Sequence, residues 1–193
     1  MYFELTSASA ADVLRLCGGE AANILARARV LALTECVERL AAQPAPRPLI
    51  ITGNEHFFSA GADLNEIAAL SGAEAYEFGR MGQRLMDAIA GFPAPVWAAV
   101  RGWCMGGGFD LALACHARVA APNAVFGHRG TALGLITGWG GTQRLPRIIG
   151  KARALEMFLA AEKVHAQRAL EIGLVNALAD DPLAYCLKQL AGA

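Results

Sequence analysis

The sequence has few charged residues and no excess of either sign. Charged side chains make up 18% of the 193 residues, with 17 basic against 17 acidic, and the basic residues form no run. Nucleic acids and acidic membrane surfaces bind proteins through basic patches, so the balance argues against both classes of partner.

Long apolar runs are also missing. The N-terminal residues 1–16 include acids and no continuous apolar segment, unlike a signal peptide. The longest apolar region, residues 94–115, is rich in glycine and interrupted by Arg101 and Asp110, unlike a membrane span. These features predict a cytoplasmic protein.

The five cysteines have no pairing pattern. They are odd in number and scattered, at Cys17, Cys36, Cys104, Cys115 and Cys186. They show no C-x-x-C spacing and no nearby pair of histidines, so we expect reduced, mostly buried thiols and no metal site.

What is present is a long apolar chain with α/β patterning. A hydrophobic content of 55% over 193 residues predicts one domain, 1–193. Asp63 and Glu66 have the spacing of a capping box, and Gly173 is a candidate helix C-cap. Strands are predicted at 13–17, 49–52, 96–100, 118–121 and 124–126, and helices at 25–42, 73–91 and 108–115, with a helical C-terminal third.

Two glycine turns each follow a buried strand and open a helix: "SAGADL" (59–64) and "CMGGGFDL" (104–111). A helix start exposes unpaired N–H groups, and glycine lets a ligand approach them. Two facing turns would offer convergent donors for a carbonyl that becomes an enolate or a tetrahedral oxyanion. The alternative, which spacing alone favours, is tight strand-to-helix packing. Neither turn has the spacing of a nucleotide-binding loop.

Three motifs in order, "FFSAGADLNEI", "GWCMGGGFDLALACHARVAAPNAVFG" and "GLITGWGGTQRLPRIIGKARALEMFL", closely resemble the crotonase (enoyl-CoA hydratase/isomerase) superfamily. The resemblance covers roughly residues 13–180, which it makes the core of the domain. It implies a spiral of repeated ββα units with C-terminal helices, an acyl-coenzyme A substrate, no other cofactor, and a homo-oligomer, either a trimer or a hexamer. It implies that the N–H groups of Ala62 and Gly107 are the oxyanion donors. The remaining predicted substrate-binding residues are Ala60, Gly61, Asp63, Leu64, Gly106, Gly130, Leu133 and Trp139.

The catalytic acids of the family are altered in this chain. Hydratases of the family use two glutamates; the first position is Asp110 here, and the second is Gly130, which cannot transfer a proton. Asp110 is either an acid/base group or only a carboxylate stabilised by a helix N-terminus.

Other residues near this site have two interpretations each. His128 could replace the missing acid/base group and Arg129 could hold a substrate carboxylate, but a solvent-facing position or a subunit contact is favoured for both. Trp139 either narrows the acyl pocket or only packs against helices. The other histidines, His56, His116 and His165, are predicted to be structural.

Two further departures concern the ends of the chain. The family usually carries a positive charge near the coenzyme phosphates, whereas residues 17–23 here have none. The C-terminal helical layer of the family continues further than this sequence does, so we expect a truncated layer. The resulting hypothesis is a hydratase/isomerase-type enzyme of fatty acid metabolism. The alternatives are a decarboxylase or thioester hydrolase of the same superfamily, or a non-catalytic acyl-CoA-binding or assembly subunit.

Overall fold

The computed structural model describes residues 2–17 and 22–192, in which strands and helices alternate. The strands are β1 (Phe3–Ser7), β2 (Asp12–Leu16), β3 (Ile24–Leu25), β4 (Leu49–Thr52), β5 (Phe57–Ser59), β6 (Gly61–Ala62), β7 (Val96–Val100), β8 (Trp103–Met105), β9 (Ala117–Ala120), β10 (Val125–Gly127), β11 (Val164–His165) and β12 (Ala177–Leu178). The helices are α1 (Arg27–Ala41), α2 (Leu64–Ala68), α3 (Gly72–Ala90), α4 (Gly107–Ala114), α5 (Gly141–Ile149), α6 (Lys151–Ala160), α7 (Ala166–Glu171) and α8 (Pro182–Ala191), with a 3-10 helix at Gly130–Leu133.

The strands form one large sheet and a smaller one. The large sheet has the order β1-β2-β4-β7-β9-β12, in which only the β1–β2 pair is antiparallel. The smaller sheet has the order β11-β10-β8-β5, and β3 pairs separately with β6. The α/β class and the largely parallel pairing expected from the sequence are confirmed.

The chain repeats one unit, in which a strand of the large sheet leads to a strand of the small sheet and then to a helix. The sequence β7, β8, α4 is one such unit, and β9, β10 and α5 form the next, with the 3-10 helix between β10 and α5. This arrangement is the predicted spiral of ββα units. It places the start of each helix beside the end of a small-sheet strand, which is where the two glycine turns lie.

Strand β4 shows how the apolar runs specify this layering. Leu49 and Ile51 pack into the main core with α1 and α3, whereas Ile50 points to the opposite face and packs with Cys186 of α8. Alternate residues of a strand face opposite sides of a sheet. A strand that is covered on both faces therefore needs the continuous apolar run that the sequence has at 49–52.

The helix signals were only partly read from the sequence. Asp63 caps α2 through the N–H groups of Asn65 and Glu66, as expected, but the predicted capping box is wrong, because the Glu66 carboxylate accepts from the N–H of Arg27 at 2.8 Å instead. The complete box is formed by Ser71 and Glu74 at the start of α3.

Helix α7 ends in a tight glycine turn, close to the predicted C-cap. Gly173, with φ at +74°, follows the cap residue Ile172. The N–H of Gly173 donates to Leu170 O, and the N–H of Leu174 donates to Ala169 O. This pair of bonds is a Schellman motif, which favours glycine because the residue is left-handed.

Several sequence expectations about isolated residues can be checked against the fold. All five cysteines are free; four are buried and Cys17 is half-buried, as expected. His116 has a structural role, since its Nδ1 accepts from the N–H of Val96 at 2.9 Å and its Nε2 lies 3.1 Å from Ala90 O. Segment 17–23, which has no basic residue, lies largely outside the described residues. Within the described ranges, none of the helices combines the length and the hydropathy needed to cross a bilayer.

Candidate active site

The two glycine turns are in direct backbone contact. A Cβ placed on Gly61, whose φ is +97°, would lie 2.7 Å from Met105 O and 2.8 Å from Gly107 N. A Cβ on Gly108 would lie 2.5 Å from Cβ of Ser59. Real Cβ atoms do not approach so closely, so both positions require glycine and the two turns lie against each other.

A buried polar network fixes the first turn. Ser59, which is fully buried, donates its hydroxyl to Asn23 O at 2.8 Å and accepts from the N–H of Gly61 at 3.1 Å. The Asn23 amide group donates to the carbonyls of Phe57 and Phe58, at 3.0 and 3.2 Å. These bonds hold the strand that leads into the turn and thereby the orientation of the next peptide groups.

Ala62 and Gly107 border one cavity of about 850 Å³. Gly107 is the first residue of α4, so its N–H has no acceptor within the helix and carries part of the positive helix dipole. A Cβ on Gly107 would lie 3.4 Å from Ala62 N, which places the two peptide groups side by side. The structure therefore brings together the two residues whose N–H groups were predicted as oxyanion donors.

Asp110 is buried in the wall of this cavity, with a relative exposure of 1%. Its Oδ2 accepts a short hydrogen bond from the Thr137 hydroxyl. It lies in the first turn of α4 and also faces the start of α5, because a Cβ on Gly141 would overlap its Oδ1. The carboxylate therefore lies beside the N-termini of both α4 and α5.

His128 lies beside Asp110, and the favoured prediction that it faces solvent or a subunit is wrong. Its exposure is 4%, and its ring stands between those of Phe109 and Phe158, with centroids 4.9 and 5.4 Å away. The cause is strand pairing: β10 runs parallel to β8, and Gly127 O accepts from the N–H of Gly106 at 3.0 Å. The residue after β10 is thereby held against α4.

The Asp110–His128 contact leaves both groups available to a ligand. His128 Nε2 lies 3.3 Å from Asp110 Oδ1. Both atoms are buried, and neither has an aligned hydrogen-bond partner in the described part of the chain. Buried polar atoms without partners are costly, and both residues line the cavity, so a polar group of a ligand or a water could bond to them.

The other predicted binding residues also border the cavity, with one exception. Gly61 is buried between the two turns and contacts the second turn. The predicted residues that line the cavity are Ala60, Asp63, Leu64, Gly106, Gly130, Leu133 and Trp139. Arg129 lines it as well and is exposed, as expected.

Trp139 packs against a helix and also lines the cavity. It is 4% exposed, it stacks with Phe78 at 5.4 Å between centroids, and its indole N–H donates to Phe78 O at 3.2 Å. It is also part of the cavity wall, where a Cβ on Gly107 would overlap its ring. Trp139 therefore packs against α3 and narrows the space beside Gly107.

The nearby cysteine is not a candidate nucleophile. Cys104 precedes the second turn, but burial raises the pKa of its thiol well above the usual value, and the charges of Cys115 and Asp110 raise it further. Its thiol donates to Gly108 O. The thiolate is the reactive form of cysteine, so this group serves packing.

Sequence reasoning missed Thr137, which binds Asp110, and Phe158, which covers His128. Neither has a sequence signal of its own, because a threonine in a glycine-rich loop and a phenylalanine on a helix are common. Thr137 gains its role from the folding of the 128–140 loop over α4, and Phe158 gains its role from the packing of α6 against His128.

The comparisons with known proteins show the family of this chain. The sequence matches the enoyl-CoA hydratase/isomerase family over residues 8–185. It is 42% identical over 161 residues to a probable enoyl-CoA hydratase of Bacillus subtilis, with 83% of this chain and 62% of that protein covered. It is 41% identical over 175 residues to the crotonyl-CoA hydratase of Syntrophomonas wolfei, with 90% and 67% covered.

Solved structures show the same architecture. A crystal structure of an enoyl-CoA hydratase from Bacillus anthracis matches with a TM-score of 0.92 and 33% identity, over 100% of this chain and 78% of that one. Pseudomonas aeruginosa DspI matches with a TM-score of 0.94 and 33% identity, over 99% and 74%. The chain belongs to the enoyl-CoA hydratase/isomerase family and has the crotonase fold, as the motifs predicted. It spans about 62% of the length of the Bacillus subtilis relative.

Proposed function

We propose that this chain is an acyl-CoA enzyme of the hydratase/isomerase type that stabilises a thioester enolate between the N–H groups of Ala62 and Gly107. The observation that carries the proposal is the contact of the two turns beside a cavity that also holds the buried Asp110–His128 pair. No cofactor beyond the coenzyme A of the substrate is needed for this chemistry.

The two N–H groups supply the electrostatic part of catalysis. A thioester carbonyl oxygen that accepts from both gains negative charge when a nucleophile adds to the β-carbon of an enoyl group. Preorganised donors stabilise that charge more than the neutral carbonyl, which lowers the barrier. The loss of one such donor typically costs about 3 kcal/mol.

Asp110 and His128 supply the proton transfers. In a hydration, the water oxygen bonds to the β-carbon, the pair accepts one proton from that water, and the α-carbon receives one proton from the pair. Thr137 holds Asp110 Oδ2, so Oδ1 and His128 Nε2 are the atoms left to exchange protons. A carboxylate and an imidazole together replace the two glutamates of the family pattern.

Decarboxylation and thioester hydrolysis are the second candidates, and Gly130 is the observation that favours them. Gly130 lines the cavity and takes the position of the second glutamate, but it has no group for proton transfer. Decarboxylation forms the enolate without removal of a proton by the enzyme, so it needs the two N–H donors and only one proton donor.

The test is turnover of crotonyl-CoA and methylmalonyl-CoA side by side by the wild type and by Asp110→Asn. Hydration of crotonyl-CoA that falls about 100-fold or more in Asp110→Asn supports the proposal, because general acid–base groups contribute about 10²–10⁴-fold. Turnover of methylmalonyl-CoA alone would establish the decarboxylase instead. Binding of both thioesters without turnover would leave a non-catalytic acyl-CoA binder. The homo-oligomer, trimer or hexamer, stays a prediction that sedimentation can check.

A further inference from the structure

Gly79 occupies an unusual place in the cavity wall. It lies within α3, where glycine is less favourable than any residue except proline. It borders the cavity, and a Cβ built on it would meet no atom within 4 Å. The helix could therefore carry a side chain here without a clash, and local packing does not explain the glycine.

Gly82, one turn further along α3, provides the contrast. A Cβ on Gly82 would overlap the indole ring of Trp139, so packing requires that glycine. The neighbouring Gln83 donates to Gly138 O at 2.9 Å. The side of α3 that carries Gly82 and Gln83 therefore faces residues 138–139. Gly79, one turn earlier, lines the cavity.

The space beside Gly79 is apolar and continuous with the oxyanion donors. We call it the apolar arm, walled by Ile67, Leu70, Phe78, Gly79 and Trp139, all of which line the cavity that also contains Ala62 and Gly107. The same cavity holds the unpartnered Asp110 Oδ1 and His128 Nε2, which mark it as a ligand site independently of the glycine. Its cationic wall residues, Arg129 and Lys163, lie outside the arm.

We propose that the missing side chain of Gly79 keeps the apolar arm open for an unbranched aliphatic acyl chain longer than four carbons. The proposal rests on the proposed function and specifies its substrate class. A thioester oxygen bound at Ala62 and Gly107 would place the start of the acyl group beside the arm. The walls of the arm carry no charged side chain, and their one polar group, the indole N–H of Trp139, already donates to Phe78 O. Each methylene that enters gains affinity from burial.

The experiment measures the dissociation constants of two saturated thioesters, butyryl-CoA and decanoyl-CoA, by isothermal titration calorimetry. These probes lack the double bond, so binding is read without turnover. The variants are Gly79→Leu, which fills the arm, and Gly72→Leu, which adds the same side chain at the exposed start of α3, where a Cβ also meets no atom. Leucine is a better helix former than glycine, so both variants should fold.

The wild type and Gly72→Leu are expected to bind decanoyl-CoA at least about tenfold more tightly than butyryl-CoA. In Gly79→Leu the ratio should fall towards one, since one hydrophobic group in a pocket changes affinity by about 10–200-fold. A wild type that binds both thioesters equally, or a ratio that Gly79→Leu leaves unchanged, overturns this proposal and leaves the proposed function intact. Failure of both thioesters to bind the wild type overturns the two together.

Discussion

The two glycine turns and the loop 128–140 build the same site by different means. The turns contribute backbone N–H groups, and the steric demands at Gly61 and Gly108 fix their approach. The loop contributes the side chains of His128 and Thr137, and contacts between elements hold the acid–base pair: Thr137 on Asp110 of α4, and Phe158 of α6 on His128. The backbone donors are therefore positioned by the steric fit between the two turns, whereas the acid–base groups are positioned by side-chain contacts with the loop and α6.

The strongest test of this comparison is Gly61→Val. The valine would need a left-handed φ and would push against Met105 O and Gly107 N, so one or both donors must move. We expect kcat of the folded variant to fall by about 10²–10³-fold, the loss typical of one oxyanion donor. Thermal unfolding and turnover measured together separate this loss from instability.

The matched control for Gly61→Val is Gly72→Val, at the exposed start of α3 and away from the cavity. Its turnover should equal that of the wild type. Equal activity of the Gly61 variant would show that the turns need not touch, which would contradict the central role of their contact.

The anchoring of α4 gives the next largest effect. Arg118 is 6% exposed and donates to three carbonyls, Leu174 O, Cys115 O and Ala112 O, so it satisfies the end of α4. Burial lowers the pKa of its guanidinium. Arg118→Met should leave buried acceptors unpaired and lower the free energy of unfolding by about 2–4 kcal/mol.

Urea titration measures the effect of Arg118→Met on the free energy of unfolding. A measurement of kcat at low temperature tests whether the second glycine turn keeps its conformation. If the turns are held by their own sterics, kcat of the folded fraction should stay near the wild-type value. A large fall in kcat with unchanged stability would instead make α4 the element that positions Gly107.

The loop is tested by Thr137→Val, which keeps the shape of the side chain and removes its hydroxyl. Asp110 Oδ2 loses its partner, so the carboxylate can rotate away from His128. We expect kcat to fall about 10–100-fold with little change in KM, because a small misplacement of a reacting group is costly. Thr137→Ser restores the hydroxyl and should recover most of the activity; a serine variant as slow as the valine variant would argue against the hydrogen bond.

The sequence predicts the strands and the glycine turns, but it does not predict the side-chain contacts around the 128–140 loop. Strands such as 49–52 and 96–100 are predicted with their bounds, because a short apolar run that follows a proline and ends at or near a glycine has few alternatives. The turns were predicted from their glycines and from the family motifs. The burial of His128 was not, since it arises from the pairing of β10 with β8, more than 20 residues earlier in the chain. The capping box predicted for Asp63 and Glu66 is wrong for a similar reason. The Glu66 carboxylate accepts from the backbone N–H of Arg27, which lies 39 residues earlier in the chain.

The smallest expected effect concerns the packed thiols under α4 and α8. Burial raises the pKa of Cys115 from 9.0 to about 12, and that of Cys186 likewise to about 12. Below pH 9 both thiols are neutral in the folded and unfolded states, so stability is unaffected. Between pH 9 and 12 the unfolded state binds fewer protons, and the free energy of unfolding falls as pH rises, by at most about 1.4 kcal/mol per pH unit for each thiol. Urea unfolding between pH 8 and 10.5 should show a shallower decline in Cys115→Ala than in the wild type or in the control Cys17→Ala. Equal slopes of unfolding free energy against pH in all three proteins would mean that water or a structural shift stabilises the buried thiolate. The core beneath the second turn would then be less rigid than is needed to hold the two turns in contact.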